Sequence, residues 1–536
     1  MKKNIITGLC LVAATTIALL PSCSKDKLTE LNTPTSGVDF IVPENVFTNV
    51  ILNLPKNNYT VIGGGLQYFS TYKDVPAVGD RYTSYNGTVA DFGVYSGVVT
   101  NGVVTGGNLN RLYLLNNALT AEDTNKKAII RVLRAYAYHQ LTDVAGDIPY
   151  SDALKAESGN SAPKYDTQES IYMDLLKELK EAAESMDPAK PTFGNGDLFY
   201  QGNIVKWKKF AYTLMLRLGM RLTEVNPTLA QQWVQTAIAG GVMTSDADIA
   251  KITYANTTGN INPKTQGLVN GDYAQAGGDN VEGGKYAATF IDRLKSTNDP
   301  RLSVVSVVWT GTGSSAVANT SPAVQRGMIN GSQNNSRPAD FETYSEPSPL
   351  VINLAAPIII MGPAEANLLL AEAALRGWYT GATAEAAYNS GVTSGMTQWA
   401  LWPNAGTSTG TITATQISDY ITANPYLSAG TFEERLEQIN TQKWLSMFGD
   451  DYEVYSNWRR TGYPRLRAVN YPGNVTGGQL FRRFSVPVVE KQVNRDNFLA
   501  ALSRQGFLEL NADNLLTKVW WDKKAGLPFN LATASN

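Results

Sequence analysis

Tyrosines crowd a polar, glycine-rich stretch between residues 63 and 97, with carboxylate, amide and guanidinium side chains among them. The candidate ligand contacts in this stretch are Tyr68, Tyr72, Asp80, Arg81, Tyr82, Tyr85 and Asn86. An aromatic ring can remove the apolar C–H face of a sugar from water, at about 25 cal/mol per Å². Polar side chains beside the ring can bond the hydroxyl rim, each for about 0.5–1.5 kcal/mol net. The pattern predicts a carbohydrate-binding surface; the alternative is that these tyrosines pack in the core or face a protein partner.

A second polar stretch, residues 251–350, adds the aromatic candidates Tyr273, Trp309 and Tyr344. Like residues 59–110, it contains few helix formers. Long irregular segments of folded domains tend to carry function. We therefore predict two insertions, near 59–110 and 251–350, that bring ligand contacts to a scaffold.

Residue types that perform catalysis are scarce. His139 is the single histidine of the chain, and its place in an amphipathic pattern predicts a structural role. No Ser-His-Asp arrangement, His/Cys metal site or D-x-D-x-D-G calcium loop is expected, so we predict no catalytic residue, metal or cofactor. A calcium ion held by oxygen ligands from distant segments stays an open alternative. A glycoside hydrolase needs only two facing carboxylates. Because the chain has 47 acidic residues, an exported glycoside hydrolase remains an alternative.

The densest mixture of acids and aromatics is "GDDYEVY", residues 449–455. We predict that Asp450, Asp451 and Glu453 pair with Arg459 and Arg460, because buried carboxylates need cationic and hydrogen-bonding partners. We therefore predict that this segment has a structural role and not a catalytic one.

The N-terminus has the organisation of an export signal. Two lysines precede an apolar segment, Ile5–Leu20, which is too short and too interrupted to span a bilayer. It ends in Leu20-Pro21-Ser22-Cys23, which resembles a bacterial lipobox. We predict a signal peptide over 1–22, lipidation of Cys23 and an extended, lipid-anchored linker over 23–45.

Net charge and cysteine content argue against a nucleic-acid-binding protein and against a disulfide-stabilised one. The formal net charge is −2 and no long basic run occurs, so nucleic acid is not an expected partner. Cys10 lies in the segment to be removed, which leaves Cys23 as the single cysteine of the mature chain and excludes an internal disulfide. A chain of this length can bury a large core without one.

Outside the N-terminal segment and the two insertions, apolar residues recur at helical spacing. Residues 124–143 form a helical pattern with one face made of Ile129, Leu133, Tyr136 and Gln140. Further helices are predicted over residues 167–186, 203–225 and 228–241, the first of them opened by a capping box of Asp166 and Glu169, and another pair begins at Pro363. The segment "LSVVSVVW" (302–309) predicts a short strand. The fold class is mainly α: a tetratricopeptide-like scaffold of about four helix pairs, with long irregular insertions and a few short strands.

Several blocks resemble the SusD/RagB family of surface nutrient-binding lipoproteins. The blocks are "LTDVAGDIPYSDALK" (141–155), "MGPAEANLLLAEAALRGW" (361–378), "INTQKWLSMFGDDYEVYSNWRRTGYPRL" (439–466), "RRFSVPVVEKQVN" (482–494) and "VWWDK" (519–523). They occur in the family's order, and the similarity is greatest to its starch-binding, outer-membrane-associated branch.

The resemblance implies a single SusD-like domain over 46–536, anchored by lipid at the outer membrane and exposed at the cell surface. It also implies a partner, a SusC-like TonB-dependent transporter, to which the protein delivers a bound glycan without catalysis. Two alternatives remain open from the residues: a peptide-binding member of the family, and a scaffold that closes the transporter without touching a ligand.

Overall fold

The computed structural model describes residues 42–54, 59–73, 79–82, 89–100, 103–105, 107–271, 284–311, 315–331, 337–406, 408–506 and 514–531. Every element below belongs to the compact unit Pro43–Asn536. The predicted signal peptide and Cys23 lie outside the described residues. Among the described residues, the first helix begins at Pro43, inside the predicted linker.

Helices occupy much of the described chain. Their bounds are α1 Pro43–Leu52, α2 Gly93–Ser96, α3 Asn108–Ala118, α4 Thr124–Ala145, α5 Gln168–Ser185, α6 Ile204–Arg221, α7 Pro227–Gly240, α8 Pro263–Gly271, α9 Ala288–Ser296, α10 Arg301–Val305, α11 Pro363–Leu375, α12 Ala384–Thr397, α13 Ala414–Ala423, α14 Phe432–Ser446, α15 Asp451–Thr461, α16 Val488–Val493 and α17 Arg495–Arg504. Four pairs pack side by side, α4 with α5, α6 with α7, α11 with α12, and α14 with α15. The predicted tetratricopeptide-like scaffold is confirmed.

Local sequence explains where these helices start. The Asn226 side chain accepts a hydrogen bond from the Leu229 amide at the start of α7, and Pro227 occupies the first turn. Full capping boxes open α13 and α14, the latter from Thr431 and Glu434. Helix α5 is capped by Thr167, which accepts from the Ser170 amide, so the predicted capping box was wrong.

Close approach of the helices in one pair requires a glycine. A Cβ atom at Gly391 of α12 would lie 2.6 Å from Leu368 Cγ of α11. The packing of α12 on α11 therefore depends on the missing side chain.

The strands are short and form small antiparallel sheets. They are β1 Phe69–Thr71, β2 Val98–Thr100, β3 Val103–Thr105, β4 Ile148–Pro149, β5 Tyr165–Asp166, β6 Ala250–Ile252, β7 Gly284–Tyr286, β8 Ser306–Thr310, β9 Val317–Asn319, β10 Glu346–Pro347 and β11 Ile358–Met361. Strand β1 pairs with β7, and β8 lies between β10 and β9. The pairing of Phe69 with Tyr286 brings the two predicted insertions together. The predicted strand at 302–309 is in part α10 and in part β8.

A buried ion-pair network joins the helix pairs. Arg217 of α6 donates from Nε to Glu365 of α11 at 2.9 Å. Arg221 of α6 donates from Nη2 to Glu453 of α15 at 2.5 Å. Lys443 of α14 contacts both carboxylates, at 3.2 and 3.0 Å. All five side chains are at most 2% exposed.

The partners differ from those predicted for the acidic cluster. Arg460 bonds Glu372 of α11 at 2.6 and 2.7 Å. Arg459 lies over the Tyr455 ring, 3.9 Å from its centroid, and donates to the Asp143 carbonyl. The predicted pairing of residues 450–453 with Arg459 and Arg460 was therefore wrong, because acids early in α15 face other helices than arginines at its end do.

Asp451, the first residue of α15, provides a test of how burial affects stability. Burial raises the pKa of Asp451 to about 7, against the opposing charge of Lys264, and Oδ1 has no hydrogen-bond partner among the described residues. Because the folded pKa exceeds the unfolded one, the carboxyl costs stability as pH rises from about 4 to 7. We expect Asp451→Asn to stabilise the protein by roughly 1–3 kcal/mol more at pH 8 than at pH 5, measured by urea unfolding.

The matched control is Asp419→Asn, which removes a carboxylate from the exposed face of α13. It should change stability by less than about 0.5 kcal/mol at either pH. An Asp451→Asn effect that is equal at the two pH values would contradict the prediction.

None of the helices in the described part of the chain is both long and apolar enough to cross a bilayer.

Candidate functional site

Four of the predicted ligand contacts lie in the interior. Tyr68 stacks on Trp444 with ring centroids 4.8 Å apart, and its hydroxyl donates to the Trp444 carbonyl at 2.5 Å. The Tyr82 hydroxyl donates to the Gly65 carbonyl at 3.0 Å. Both tyrosines are at most 1% exposed, so they pack against the scaffold.

Asp80 and Arg81 are equally buried. Asp80 Oδ2 accepts from the Thr71 amide at 3.0 Å, and burial raises its pKa to about 7. Arg81 donates from Nη2 to the Tyr72 carbonyl at 2.9 Å. These bonds tie the end of β1 to the turn that follows it.

The interior position of Tyr68, Asp80, Arg81 and Tyr82 is at odds with direct contact to a surface ligand. Of the four, Arg81 supports Tyr72 directly, through its bond to the Tyr72 carbonyl. Tyr85, Asn86 and Tyr273 lie outside the described residues, and their contact with a ligand stays a prediction.

Tyr72, directly after β1, is half-buried at the surface. Its ring meets Phe341 edge-to-face, with centroids 5.0 Å apart. Phe341 is in turn flanked by two cations: Lys285 Nζ lies 4.3 Å, and the Arg337 guanidinium 5.1 Å, from its ring centroid. Lys285 also bonds the buried Glu346. Tyr72 is thus fixed in a layer of alternating rings and cations.

Arg326 and Tyr344 form the next part of this surface. The Arg326 guanidinium lies 4.2 Å from the Tyr344 ring centroid and donates to its hydroxyl at 2.8 Å. It also donates to Asp340 at 2.7 Å. Arg326 and Asp340 are about half exposed, so their remaining hydrogen-bonding capacity faces solvent.

Trp309 lies on β8, opposite Ala318 of β9. Strand β8 packs against the turn at Phe341–Thr343, which brings Trp309 to the same region of the fold as Tyr344. Its side chain is half-buried. On the other side, Tyr471 is half-buried beneath Arg81, whose guanidinium is 5.0 Å from its ring centroid.

We call this set the aromatic surface. It consists of Tyr72, Trp309, Arg326, Arg337, Tyr344 and Tyr471. Half-buried rings can stack on apolar faces of a ligand, and exposed guanidinium groups can donate to its oxygens. The arrangement can therefore hold an extended, oxygen-rich molecule.

Sequence reasoning proposed Tyr72, Trp309 and Tyr344 but missed Arg326, Arg337 and Tyr471. The missed residues are far from the tyrosine-rich stretch in the chain. A signal did exist, because Arg326 and Arg337 stand in the second polar stretch beside its aromatic residues.

A family model described as starch-binding and associating with the outer membrane matches residues 38–487. The chain belongs to the SusD-like family. The family prediction made from the sequence blocks is confirmed. No match was found among curated proteins.

Solved structures share the fold of this SusD-like chain. A chitin-binding protein is 28% identical with a TM-score of 0.74, the match covering 90% of this chain and 100% of that one. A SusD homologue from Bacteroides fragilis is 25% identical with a TM-score of 0.73, covering 91% and 100%. A chitin-binding SusD homologue from Flavobacterium johnsoniae, at 23% identity and a TM-score of 0.68 over 90% and 99%, shows the same fold.

One buried cluster of the SusD-like scaffold has metal-ligand residue types. Ligand atoms of His139, Asp143 and Glu453 lie within 4.8 Å of one another. Both carboxylates already contact Arg221, at 3.3 and 2.5 Å. Burial lowers the pKa of His139 to about 4, because a further positive charge is disfavoured there. The same cost applies to a metal ion, so the cluster fits an ion-pair network better than a metal site.

Proposed function

We propose that this SusD-like protein is a non-catalytic, lipid-anchored receptor at the cell surface. It binds an oligosaccharide and delivers it to a SusC-like TonB-dependent transporter of the outer membrane. The observation that carries the proposal is the aromatic surface, on a member of a family described as starch-binding.

The physical chemistry of the aromatic surface supports a glycan ligand. A ring that removes on the order of 60 Å² of sugar surface from water contributes roughly 1.5 kcal/mol. A hydrogen bond from Arg326 or Arg337 adds about 1.5–3 kcal/mol when the partner is well placed. Several such contacts, reduced by the cost of ordering the ligand, give reversible binding that permits release to a transporter.

The 28% identical chitin-binding protein suggests the first ligand class for testing. We propose β-linked oligosaccharides of N-acetylglucosamine as candidates, together with starch-type oligosaccharides from the family description. Both present flat sugar faces to stacked rings.

A binding role without catalysis is supported by three buried glutamates that are unsuited to act as general acids. The buried Asp80 and Asp451, whose pKa is raised to about 7, lie in the interior and not on the aromatic surface. Glu365, Glu372 and Glu453 each contact arginine or lysine side chains within 3.2 Å. A general acid needs a carboxyl group that can hold a proton near neutral pH. Cationic partners hold the pKa of Glu365 and of Glu372 below its usual value against the opposing effect of burial.

Substitution of the aromatic surface tests this function. We expect Trp309→Ala combined with Tyr344→Ala to weaken oligosaccharide binding by at least tenfold, because two stacking faces are lost. Calorimetry on the detergent-solubilised mature protein, with oligosaccharides of N-acetylglucosamine and of glucose, measures the change. The control is Trp378→Ala, which removes a half-buried tryptophan beside Arg376 in the helical scaffold and should leave affinity unchanged.

Three results would redirect the proposal. Peptide binding without saccharide binding would favour the peptide-receptor alternative. Release of reducing ends from polysaccharide would favour a hydrolase. Unchanged affinity in the double variant would move the binding site away from the aromatic surface.

A further inference from the structure

A pocket lined by tryptophan lies between β11, the start of α11 and the loop that joins α14 to α15. Trp399 and Trp402 form one wall, with ring centroids 4.5 Å apart. Met361 and Phe448 are among the apolar residues that line the rest of the pocket. The cavity measures about 60 Å³, several times the roughly 10–15 Å³ that one water needs. It can therefore hold a small organic group. We call it the tryptophan pocket.

The tryptophan pocket has an unused hydrogen-bond donor. Trp399 is 3% exposed, and its indole Nε1 has no hydrogen-bond partner among the described residues. Such a buried donor costs about 1–3 kcal/mol if it stays unpaired. Helix α11 begins at the pocket wall, and its N-cap, Gly362, supplies no capping side chain. Both features favour an acceptor oxygen in the ligand.

The tryptophan pocket also has an unused acceptor. The Asp450 side chain is 17% exposed, and its nearest cation is Arg217, 3.8 Å from Oδ2. No hydrogen bond to this carboxylate is formed by the described residues. Glu365, which also lines the pocket, bonds Arg217, and Lys264 donates to the Gly449 carbonyl at 2.6 Å. Asp450 therefore favours a ligand group that donates a hydrogen bond.

One small group combines these requirements. A secondary amide with a methyl substituent has an acceptor oxygen, a donor N–H and an apolar end. A carboxylate ligand would be repelled by Asp450 and Glu365. A sugar ring bearing hydroxyls alone would bury polar groups against Met361 and Phe448, which offer them no hydrogen bonds.

We propose that the tryptophan pocket binds the acetamido group of an N-acetylated sugar. The carbonyl oxygen accepts from Trp399 Nε1, the amide N–H donates to Asp450, and the methyl group packs between Met361 and Phe448. This site is additional to the aromatic surface, and it rests on the proposed function because it specifies which class of glycan the protein holds.

The experiment compares N-acetylglucosamine, glucosamine and glucose as single sugars on the detergent-solubilised mature protein. Calorimetry should show binding of N-acetylglucosamine and at least tenfold weaker binding of the other two. In saturation-transfer NMR, the acetamido methyl should receive the largest signal of the sugar, because it contacts protein protons on several sides. Equal affinity for glucose, or stronger binding of glucosamine through its ammonium group, would overturn the proposal.

Substitutions separate the two sites. Trp399→Phe removes the N–H donor, and Asp450→Asn removes the carboxylate; each should weaken binding of the single acetylated sugar at least fivefold. Trp402→Ala, at a half-buried position, is the second choice if Trp399→Phe lowers the melting temperature. Trp309→Ala with Tyr344→Ala should leave this binding unchanged.

The two proposals then fail in different ways. If oligosaccharides bind and depend on Trp309 and Tyr344 while the single acetylated sugar does not bind, the tryptophan pocket is excluded and the proposed function stands. If no saccharide of any length binds, both are excluded.

Discussion

Glu453→Ala is expected to destabilise the folded protein by about 3–5 kcal/mol. Glu453 is the shared partner of three cations: Arg221 at 2.5 Å, Lys443 at 3.0 Å and Arg217 at 3.5 Å. All are at most 2% exposed. Removing the carboxylate leaves three buried cations with Glu365 and Asp143 as their closest carboxylate partners among the described residues, and therefore an excess of positive charge in the interior. Guanidinium chloride unfolding of the mature protein measures the loss.

The control is Glu184→Ala, which breaks an i,i+4 pair with Lys180 at 2.7 Å on the exposed side of α5. Exposed pairs contribute about 0–1 kcal/mol, so this variant should remain near wild type. Similar losses in both variants would show that the buried network contributes no more than a surface pair.

Acid dependence provides a second readout of Glu453. Burial alone would raise its pKa, but Arg221, Lys443 and Arg217 hold it below the usual value of 4.5. Because the folded pKa is depressed, the carboxylate stabilises the fold above pH 4.5, and this contribution is lost as pH falls further. Below pH 4.5 the wild type should lose stability more steeply than Glu453→Ala does.

Cys23→Ala is expected to release the protein from the membrane fraction. The proposed anchor is acyl chains on this residue, and each buried methylene contributes about 0.8 kcal/mol. With two or more chains the anchoring is effectively stable, so its loss changes the distribution almost completely. Fractionation of cells and immunodetection measure the outcome.

The matched variant for the anchor is Cys10→Ala, which changes the other cysteine within the apolar segment. It should leave the protein in the membrane fraction. Persistence of Cys23→Ala in that fraction, or wild-type protein in the cytosol, would contradict the anchor.

The sequence predicts the helical scaffold well because apolar periodicity and breakers are local signals. Ile171, Leu175 and Leu179 recur at helical spacing, and all three are buried in α5. The exact residues at which the helices begin and end are less predictable. Aspartate is a residue type that often caps helices, and Asp166 was predicted to do so. Its side chain instead accepts hydrogen bonds from the Tyr150 and Ser151 amides, and the adjacent Thr167 caps the helix.

The candidate site is harder to predict because tyrosine suits both a core and a surface. Tyr68 and Tyr72 are four residues apart, yet one stacks in the interior on Trp444 and the other reaches the surface against Phe341. The partner in each case lies hundreds of residues away in the chain. The same limit applies to Arg460, whose partner Glu372 belongs to another helix pair.

The spacing of the buried ion pairs along the chain limits when the scaffold can form. Arg217 precedes Glu365 by 148 residues, and Arg221 precedes Glu453 by 232. During synthesis from the N-terminus, Arg217 emerges long before Glu365, and Arg221, which also contacts the earlier Asp143, emerges long before Glu453. Nascent central helices therefore cannot complete these ion pairs until the C-terminal third has been made, so a chain cut before Glu365 leaves Arg217 and Arg221 without these partners.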